Sequence, residues 1–246
     1  MSFLYPLVSV LAVSLVSFVG LFAISVNTER LKKVIFILIS FAAGTLLGDA
    51  FLHILPEIVA EHGWSTTISI YLLISIVLFY CLEQFIQWHH YHHVSEEEKH
   101  PVGMLNLVGD GFHNFIDGLI IGSSYLVSAE LGIATTLAVI FHEIPQEIGD
   151  FAILIHSGFT RRKALLYNFF SALTAVLGTL LAVWASARFE GVVPFLLALT
   201  AGGFIYIATA DLIPELHKEV NIKKSFIQLF SFLCGMGLMY LLLTLE

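Results

Sequence analysis

Charged residues are scarce in this sequence. Lysine, arginine, aspartate and glutamate together make up 12% of its 246 residues, about half of the roughly 25% found in soluble domains. Long polar stretches are absent, and so is the GxxxxGK[ST] loop that binds nucleotide phosphates. These absences exclude a soluble globular protein and a nucleotide-driven pump of ordinary architecture, and we expect no nucleic-acid partner.

Cysteine is also rare, and Cys81 and Cys234 both fall in apolar segments. We expect them to be free core residues rather than partners in a disulfide. No basic residue precedes the first apolar run, so the N-terminus lacks the charged region of a secretory signal. We interpret that run as a retained membrane span.

Apolar and aromatic residues make up 58% of the chain, and the mean hydropathy is +0.90. They fall into eight segments, each long enough to cross a bilayer, which takes about 20 residues. The sequence therefore predicts an all-α integral membrane protein with one transmembrane domain, residues 1–246, in the lipid bilayer. The predicted helices cover roughly 4–26, 34–59, 68–88, 102–127, 131–156, 163–187, 193–216 and 224–245.

The basic residues predict the orientation. Ten of the eleven lysines and arginines follow spans one, three, five or seven, and only Arg188 lies on the other side. Loops rich in lysine and arginine stay in the cytoplasm. We therefore expect both termini to be extracytoplasmic, in a plasma or inner membrane.

Spans two and seven resemble each other. AAGTLLGDAFLHILPE at 42–57 and TAGGFIYIATADLIPE at 200–215 match at five positions, and His53 aligns with Asp211. Because the copies are five spans apart, they run in opposite directions through the membrane. The pattern predicts a 3+2+3 inverted repeat, with spans four and five between the two halves.

Two patterns of small residues, GTLLG from Gly44 and GLIIG from Gly118, predict close packing of helices. Such patterns also occur where helices slide or where two copies meet. The sequence therefore leaves open whether the protein forms a homodimer.

Polar residues form stripes on spans four and five. Their spacing of three and four places each set on one helix face. A charged group at the bilayer centre costs about 2.5 to 3.5 kcal/mol, so these faces must meet protein or water. Histidine and carboxylate side chains together suit Zn²⁺, Fe²⁺ or Mn²⁺. The stripes consist of Asn106, Asp110, His113, Asn114 and Asp117 on span four, and of His142, Glu143, Gln146, Glu147 and Asp150 on span five.

The motifs HNFIDG at 113–118 and HEIPQE at 142–147 resemble the paired metal-binding motifs of ZIP (Zrt/Irt-like) divalent metal transporters, in the subgroup with HNxxDG and HExPxE. HILPE in span two and DLIPE in span seven extend the resemblance over nearly the whole chain. It implies uptake of zinc into the cytoplasm by alternating access, with Fe²⁺, Mn²⁺ and Cd²⁺ as other candidate ions.

The resemblance also implies the ligands. One metal site comprises His113, Asp117, His142 and Gln146, and an adjacent second site comprises Asn114, Glu143 and Asp211 and shares Gln146. Members of the family usually carry glutamate or histidine at the position of Gln146. A neutral amide cannot bridge two cations as a carboxylate does, so the number of bound ions is open.

Further polar residues are candidates for an ion pathway. They are Asp49, His53 and Glu57 on span two, Asp110, Glu147 and Asp150 beside the metal motifs, and Glu215 on span seven. For His53, a hydrogen bond between helices is the alternative. A loop over 89–100 carries His89, His90, His92 and His93 beside three glutamates, and it predicts either a metal-collecting loop or an ordinary solvated one.

Two other functions fit a buried histidine and carboxylate cluster. A membrane-embedded zinc hydrolase would use an activated water, but HEIPQ lacks the second histidine of HExxH, and no serine nucleophile motif replaces it. A metal sensor that does not transport would need no polar route across the membrane. Polar residues on four spans are consistent with such a route, and they favour transport.

Overall fold

The computed structural model describes residues 4–21, 28–92, 99–189 and 191–244. Within these ranges the chain is helical, and no strand occurs. We label the helices α1 to α8 in chain order. They are Leu4–Val16 with a 3-10 turn at Ser17–Val19 (α1); Thr28–Asp49, Ala50–Ile54 and Leu55–His62 (α2); Thr66–His92 (α3); Lys99–Val127 (α4); Ala129–His156 (α5); Arg161–Ala172 and Thr174–Arg188 (α6); Val192–Tyr206, Ile207–Leu212 and Ile213–Leu216 (α7); and Ile222–Leu243 (α8).

Five of these helices are long and apolar enough to cross a membrane, and α1 is apolar but shorter. The helices α4 and α5 have 29 and 28 residues, but their acidic and histidine side chains make them less apolar. The all-α membrane class predicted from the sequence is confirmed. The five apolar spans are Val34–His62, Thr66–Gln84, Arg161–Arg188, Val192–Leu216 and Ile222–Leu243.

Two π-helical turns interrupt α2 and α7. The first covers Ala50–Ile54 and the second Ile207–Leu212. Each ends just before a proline, Pro56 in α2 and Pro214 in α7. Proline has no N–H to donate and its ring clashes with the carbonyl four residues earlier, and a wider turn accommodates both effects.

Helix pairs meet where glycine leaves no side chain between the backbones. A Cβ added to Gly44 in α2 would lie 2.1 Å from the carbonyl oxygen of Phe232 in α8. A Cβ on Gly118 in α4 would lie 1.8 Å from the carbonyl oxygen of Ala175 in α6. The close packing predicted for these glycines is confirmed.

The two cysteines are free, as expected, but both side chains are exposed. The prediction that they are core residues is therefore wrong. Apolar residues of a membrane helix need not face the protein, because lipid accepts them equally well.

We expect Gly118→Ala to lower the melting temperature of the purified protein by about 5 °C, because the added methyl group must push two backbones apart at a cost of about 1 to 3 kcal/mol. Gly149→Ala is the matched control, since nothing lies within 4 Å of a Cβ at that position. Thermal unfolding in detergent compares the two, and equal melting temperatures would contradict the close contact.

Candidate metal site

The helices α4 and α5 form an antiparallel hairpin with one residue between them. Ser128 has an extended backbone, with φ −147° and ψ 164°, which separates the two helices. Its hydroxyl accepts a hydrogen bond from the N–H of Leu131 at 3.0 Å and caps α5. The reversal packs α4 against α5 and sets their polar stripes facing each other.

Four side chains from this hairpin meet at one point. His113 and Asp117 come from α4, and His142 and Glu143 come from α5. One ligand atom from each lies within 4.8 Å of the other three. We call this group the four-residue cage.

The distances within the four-residue cage are nearly uniform. His113 Nε2 and His142 Nε2 are 3.3 Å apart. Glu143 Oε1 lies 3.4 Å from each of these nitrogens. Asp117 Oδ2 lies 3.6 Å from the His113 nitrogen and 3.4 Å from the His142 nitrogen.

These distances fit a tetrahedral zinc ion. Nitrogen and oxygen ligands bind zinc at about 2.0 to 2.2 Å, so two ligand atoms at tetrahedral angles lie about 3.3 to 3.6 Å apart. Both carboxylates are buried, and none of their four oxygens has a hydrogen-bond partner. Buried unpaired oxygens are costly, and a cation at the centre of the cage would satisfy them.

His142 is oriented by its own helix. Its Nδ1 lies 3.4 Å from the carbonyl oxygen of Ala138, which accepts the Nδ1–H hydrogen bond. The lone pair of Nε2 therefore points into the cage, which is the usual arrangement for a metal-binding histidine.

The cage opens on the side of His113. Its side chain is 20% exposed, whereas those of Asp117, His142 and Glu143 are each 1% exposed. His113 is therefore the most accessible of the four side chains.

The other predicted ligands are not members of the four-residue cage. Asn114 is buried and donates to the Oδ1 of Asp110 at 2.8 Å, while its own Oδ1 is buried without a partner. Gln146 is half-buried, one turn after His142. Asp211 is exposed on the π turn of α7. Glu143, assigned by resemblance to the second site, lies in the same cage as the two histidines.

A second polar group lies beside the cage, toward the start of α4 and the end of α5. Asp150 Oδ1 accepts a hydrogen bond from Asn106 at 2.9 Å. Glu147 accepts one from Asn168 of α6. Asp110, Glu147 and Asp150 each keep one buried oxygen without a partner. We call these three acids with Asn106 and Asn168 the inner polar group.

Sequence reasoning does not single out Asn168 as a functional residue. It lies in an otherwise apolar stretch of α6, and a lone asparagine in a membrane helix most often links neighbouring helices. Its complete burial is visible only in the structure.

The candidate pathway residues of α2 and α7 have other contacts. Asp49 is buried and accepts a hydrogen bond from Thr135 of α5 at 2.9 Å. His53 Nε2 lies 2.9 Å from the carbonyl oxygen of Met239 in α8, which matches the role of a link between helices. Glu57 is half-buried, and Glu215 is exposed and forms an ion pair with Lys218.

The predicted loop at 89–100 is helical at 89–92 and 99–100. Residues 93–98, which include His93, are outside the described residues. His89, His90 and His92 belong to the last turns of α3, where the backbone alone is described.

A family profile described as ZIP Zinc transporter matches residues 2–102 and 89–243. The chain belongs to the ZIP zinc transporter family. The two matches overlap in the histidine-rich segment between α3 and α4, and together they include every helix of the structure.

Curated relatives of this ZIP protein align over most of its length. The zinc transporter SLC39A7 of Rattus norvegicus is 30% identical over 98% of this chain and 72% of its own length. The zinc transporter zipt-7.1 of Caenorhabditis briggsae is 32% identical over 85% of this chain and 71% of its own. The zinc transporter ZIP13 of Pongo abelii is 35% identical over 83% of this chain and 65% of its own.

Family membership decides between the functions that the sequence left open. This ZIP protein is a multi-pass membrane transporter of divalent metal ions and not an enzyme. The hydrolase hypothesis is therefore set aside, and so is a sensor that does not transport.

Proposed function

We propose that the four-residue cage binds zinc during transport and that this ZIP protein carries zinc into the cytoplasm by alternating access. The observation that carries the proposal is the set of distances of 3.3 to 3.6 Å that join two imidazole nitrogens to each other and to two carboxylate oxygens. Asn114, Gln146 and Asp211 surround a second, weaker position next to the cage.

We propose eight membrane-spanning helices in a 3+2+3 inverted repeat within one domain, with both termini extracytoplasmic. Two features support the repeat. The π turns of α2 and α7 fall at aligned positions. The helix pairings also correspond. The repeat relates α1 to α6, α2 to α7, α3 to α8 and α4 to α5. Accordingly, the contact of α2 with α8 is matched by that of α7 with α3, and the contact of α4 with α6 by that of α5 with α1. Alternating access between such halves is a common transporter mechanism.

The inner polar group is our proposed exit route. In this orientation α4 begins and α5 ends at the cytoplasmic face, so Asp110, Glu147 and Asp150 lie on the cytoplasmic side of the cage. Their unpartnered oxygens offer hydrated ions a sequence of weak carboxylate contacts.

The opposite half of the hairpin is apolar where it adjoins the cage. Beyond the cage, α4 and α5 bury side chains with at most 1% exposure, namely Ile120, Ile121, Ala138 and Val139. Such packing closes the cage toward the outside, so an ion can enter from that side only after α4 and α5 move relative to their neighbours. Asp49, His53 and Glu57 on α2 then lie on the outer side, and Glu215 on the inner side.

Zinc is the proposed cargo, with Fe²⁺, Mn²⁺ and Cd²⁺ as competitors, because imidazole and carboxylate ligands bind several first-row ions. The histidines of segment 89–100 are proposed to collect metal at the cytoplasmic face. The membrane is proposed to be the plasma or inner membrane.

Radioactive zinc accumulation in intact cells tests the function and its direction together. Cells that express the parent protein should accumulate zinc faster than cells with an empty vector, and unlabelled Fe²⁺, Mn²⁺ and Cd²⁺ should rank as competitors. Reduced accumulation would show export and would contradict the proposed direction.

A further inference from the structure

A groove runs along the outside of the bundle between α4 and α6. Its volume is about 550 Å³. The serine and threonine hydroxyls that border it, of Ser171 and Thr174, donate to the carbonyl oxygens of Leu107 at 2.9 Å and Gly111 at 2.6 Å. The groove surface is therefore apolar, and it is lined chiefly by Met104, Val108, Phe112, Tyr167, Phe170 and Leu177.

One end of the groove is strongly basic. Arg161, Arg162 and Lys163 are exposed at the start of α6. Among the described residues, no carboxylate lies within ion-pair distance of them. The first N–H groups of a helix and its dipole add further positive potential at this position.

The basic end and the groove share one face of α6. Tyr167, Phe170, Thr174 and Leu177 follow Lys163 by 4, 7, 11 and 14 positions, a spacing that forms a single stripe along a helix. From Lys163 to Leu177 this stripe is about 21 Å long. That length reaches from the membrane surface past the middle of a hydrocarbon core that is about 30 Å thick.

The basic segment at 218–224 has a different environment. Lys218 pairs with Glu215, and Lys224 donates to Glu219 at 2.8 Å. The hydrogen bond from Lys224 lowers the pKa of the Glu219 carboxyl, so this acid stays charged and neutralises its partner. The segment 218–224 thus carries three lysines but little free positive charge.

We propose that the groove binds an anionic phospholipid, with its phosphate held by Arg161, Arg162 and Lys163 and one acyl chain lying between α4 and α6. The charge of the basic end selects an anionic headgroup, because each lysine or arginine near a membrane surface contributes to binding of acidic lipids. The tyrosine ring of Tyr167 lies where the chain meets the headgroup, a position that suits its amphipathic side chain. The lipid then holds together the two helices that carry His113 and Asn168.

Native mass spectrometry of the full-length purified protein tests the proposal. The protein is incubated with dioleoyl phosphatidylglycerol or dioleoyl phosphatidylcholine, and retained lipids are counted. We expect the parent to retain one phosphatidylglycerol with much higher affinity than phosphatidylcholine. The variant Arg161→Ala/Arg162→Ala/Lys163→Ala should lose this affinity roughly 100-fold, since each basic residue contributes about fivefold.

Two further variants distinguish the contribution of the basic end to lipid binding from that of the apolar groove. Lys218→Ala/Lys223→Ala/Lys224→Ala removes the same number of basic residues from segment 218–224 and should leave phosphatidylglycerol retention unchanged. Val108→Trp fills the groove and should weaken retention of the dioleoyl lipid but spare its short-chain dihexanoyl form.

Three results would overturn the proposal. The parent could retain both lipids equally, the variant at 161–163 could retain phosphatidylglycerol as the parent does, or Val108→Trp could leave retention unchanged. Inorganic phosphate is also tested as a competitor of the bound lipid. If millimolar phosphate alone displaces the bound lipid completely, the basic end is a free-anion site and not a lipid site.

Discussion

The Asp117→Ala variant should lose zinc uptake almost completely. Asp117 supplies one of the two carboxylates of the four-residue cage, and three neutral or single-charge ligands do not offset the dehydration of a divalent cation in a buried site. Proteoliposomes with a zinc-sensitive dye inside measure the uptake. The variant should match protein-free vesicles.

The same variant separates a metal-binding role from a structural one. Both oxygens of Asp117 are buried without hydrogen-bond partners, so they destabilise the metal-free protein. We expect the metal-free variant to melt no lower than the parent, and we expect added zinc to raise the melting temperature of the parent alone. Glu130→Ala, an exposed acid in the first turn of α5, is the control and should behave as the parent does. A metal-free Asp117→Ala protein that unfolds, or one that still takes up zinc, would remove Asp117 from the site.

The Gln146→Glu variant should bind two zinc ions where the parent binds one. Gln146 lies one turn after His142 and is half-buried. A carboxylate at this position can bridge two cations, and it adds a negative charge that offsets the repulsion between them. Isothermal titration calorimetry of the purified protein measures the stoichiometry.

Gln146→Met is the matched control for that substitution, because it keeps the side-chain length and adds no charge. It should bind one ion, as the parent should. If Gln146→Glu also binds a single ion, the amide of Gln146 is not what prevents a second ion from binding. The ligands around Asn114 and Asp211 then do not form a site.

The polar faces of α4 and α5 could be predicted because their spacing is periodic. His113 and Asp117 are four residues apart, as are His142 and Gln146, and such pairs share a face in any α-helix. That Glu143 joins His142 in one cage could not be predicted, because adjacent residues point about 100° apart. Only the way α4 packs against α5 brings both side chains to His113.

Contacts between distant helices could not be predicted from the sequence either. The hydrogen bond from Asn168 to Glu147 depends on the position of α6, and the contact of His53 with the Met239 carbonyl depends on α8. The π turns of α2 and α7 depend on the hydrogen bonding of the whole turn before each proline. Hydropathy could not place Cys81 and Cys234 either, because it does not distinguish lipid-facing from buried apolar positions.

X-ray absorption spectroscopy at the zinc edge tests the four-residue cage most directly. The purified protein is loaded with one equivalent of zinc and washed free of excess metal. The cage predicts four nitrogen and oxygen ligands at about 2.0 to 2.1 Å, with the scattering pattern of two imidazole rings. Six oxygen ligands with no imidazole would contradict it and would place the bound ion among the carboxylates of the inner polar group.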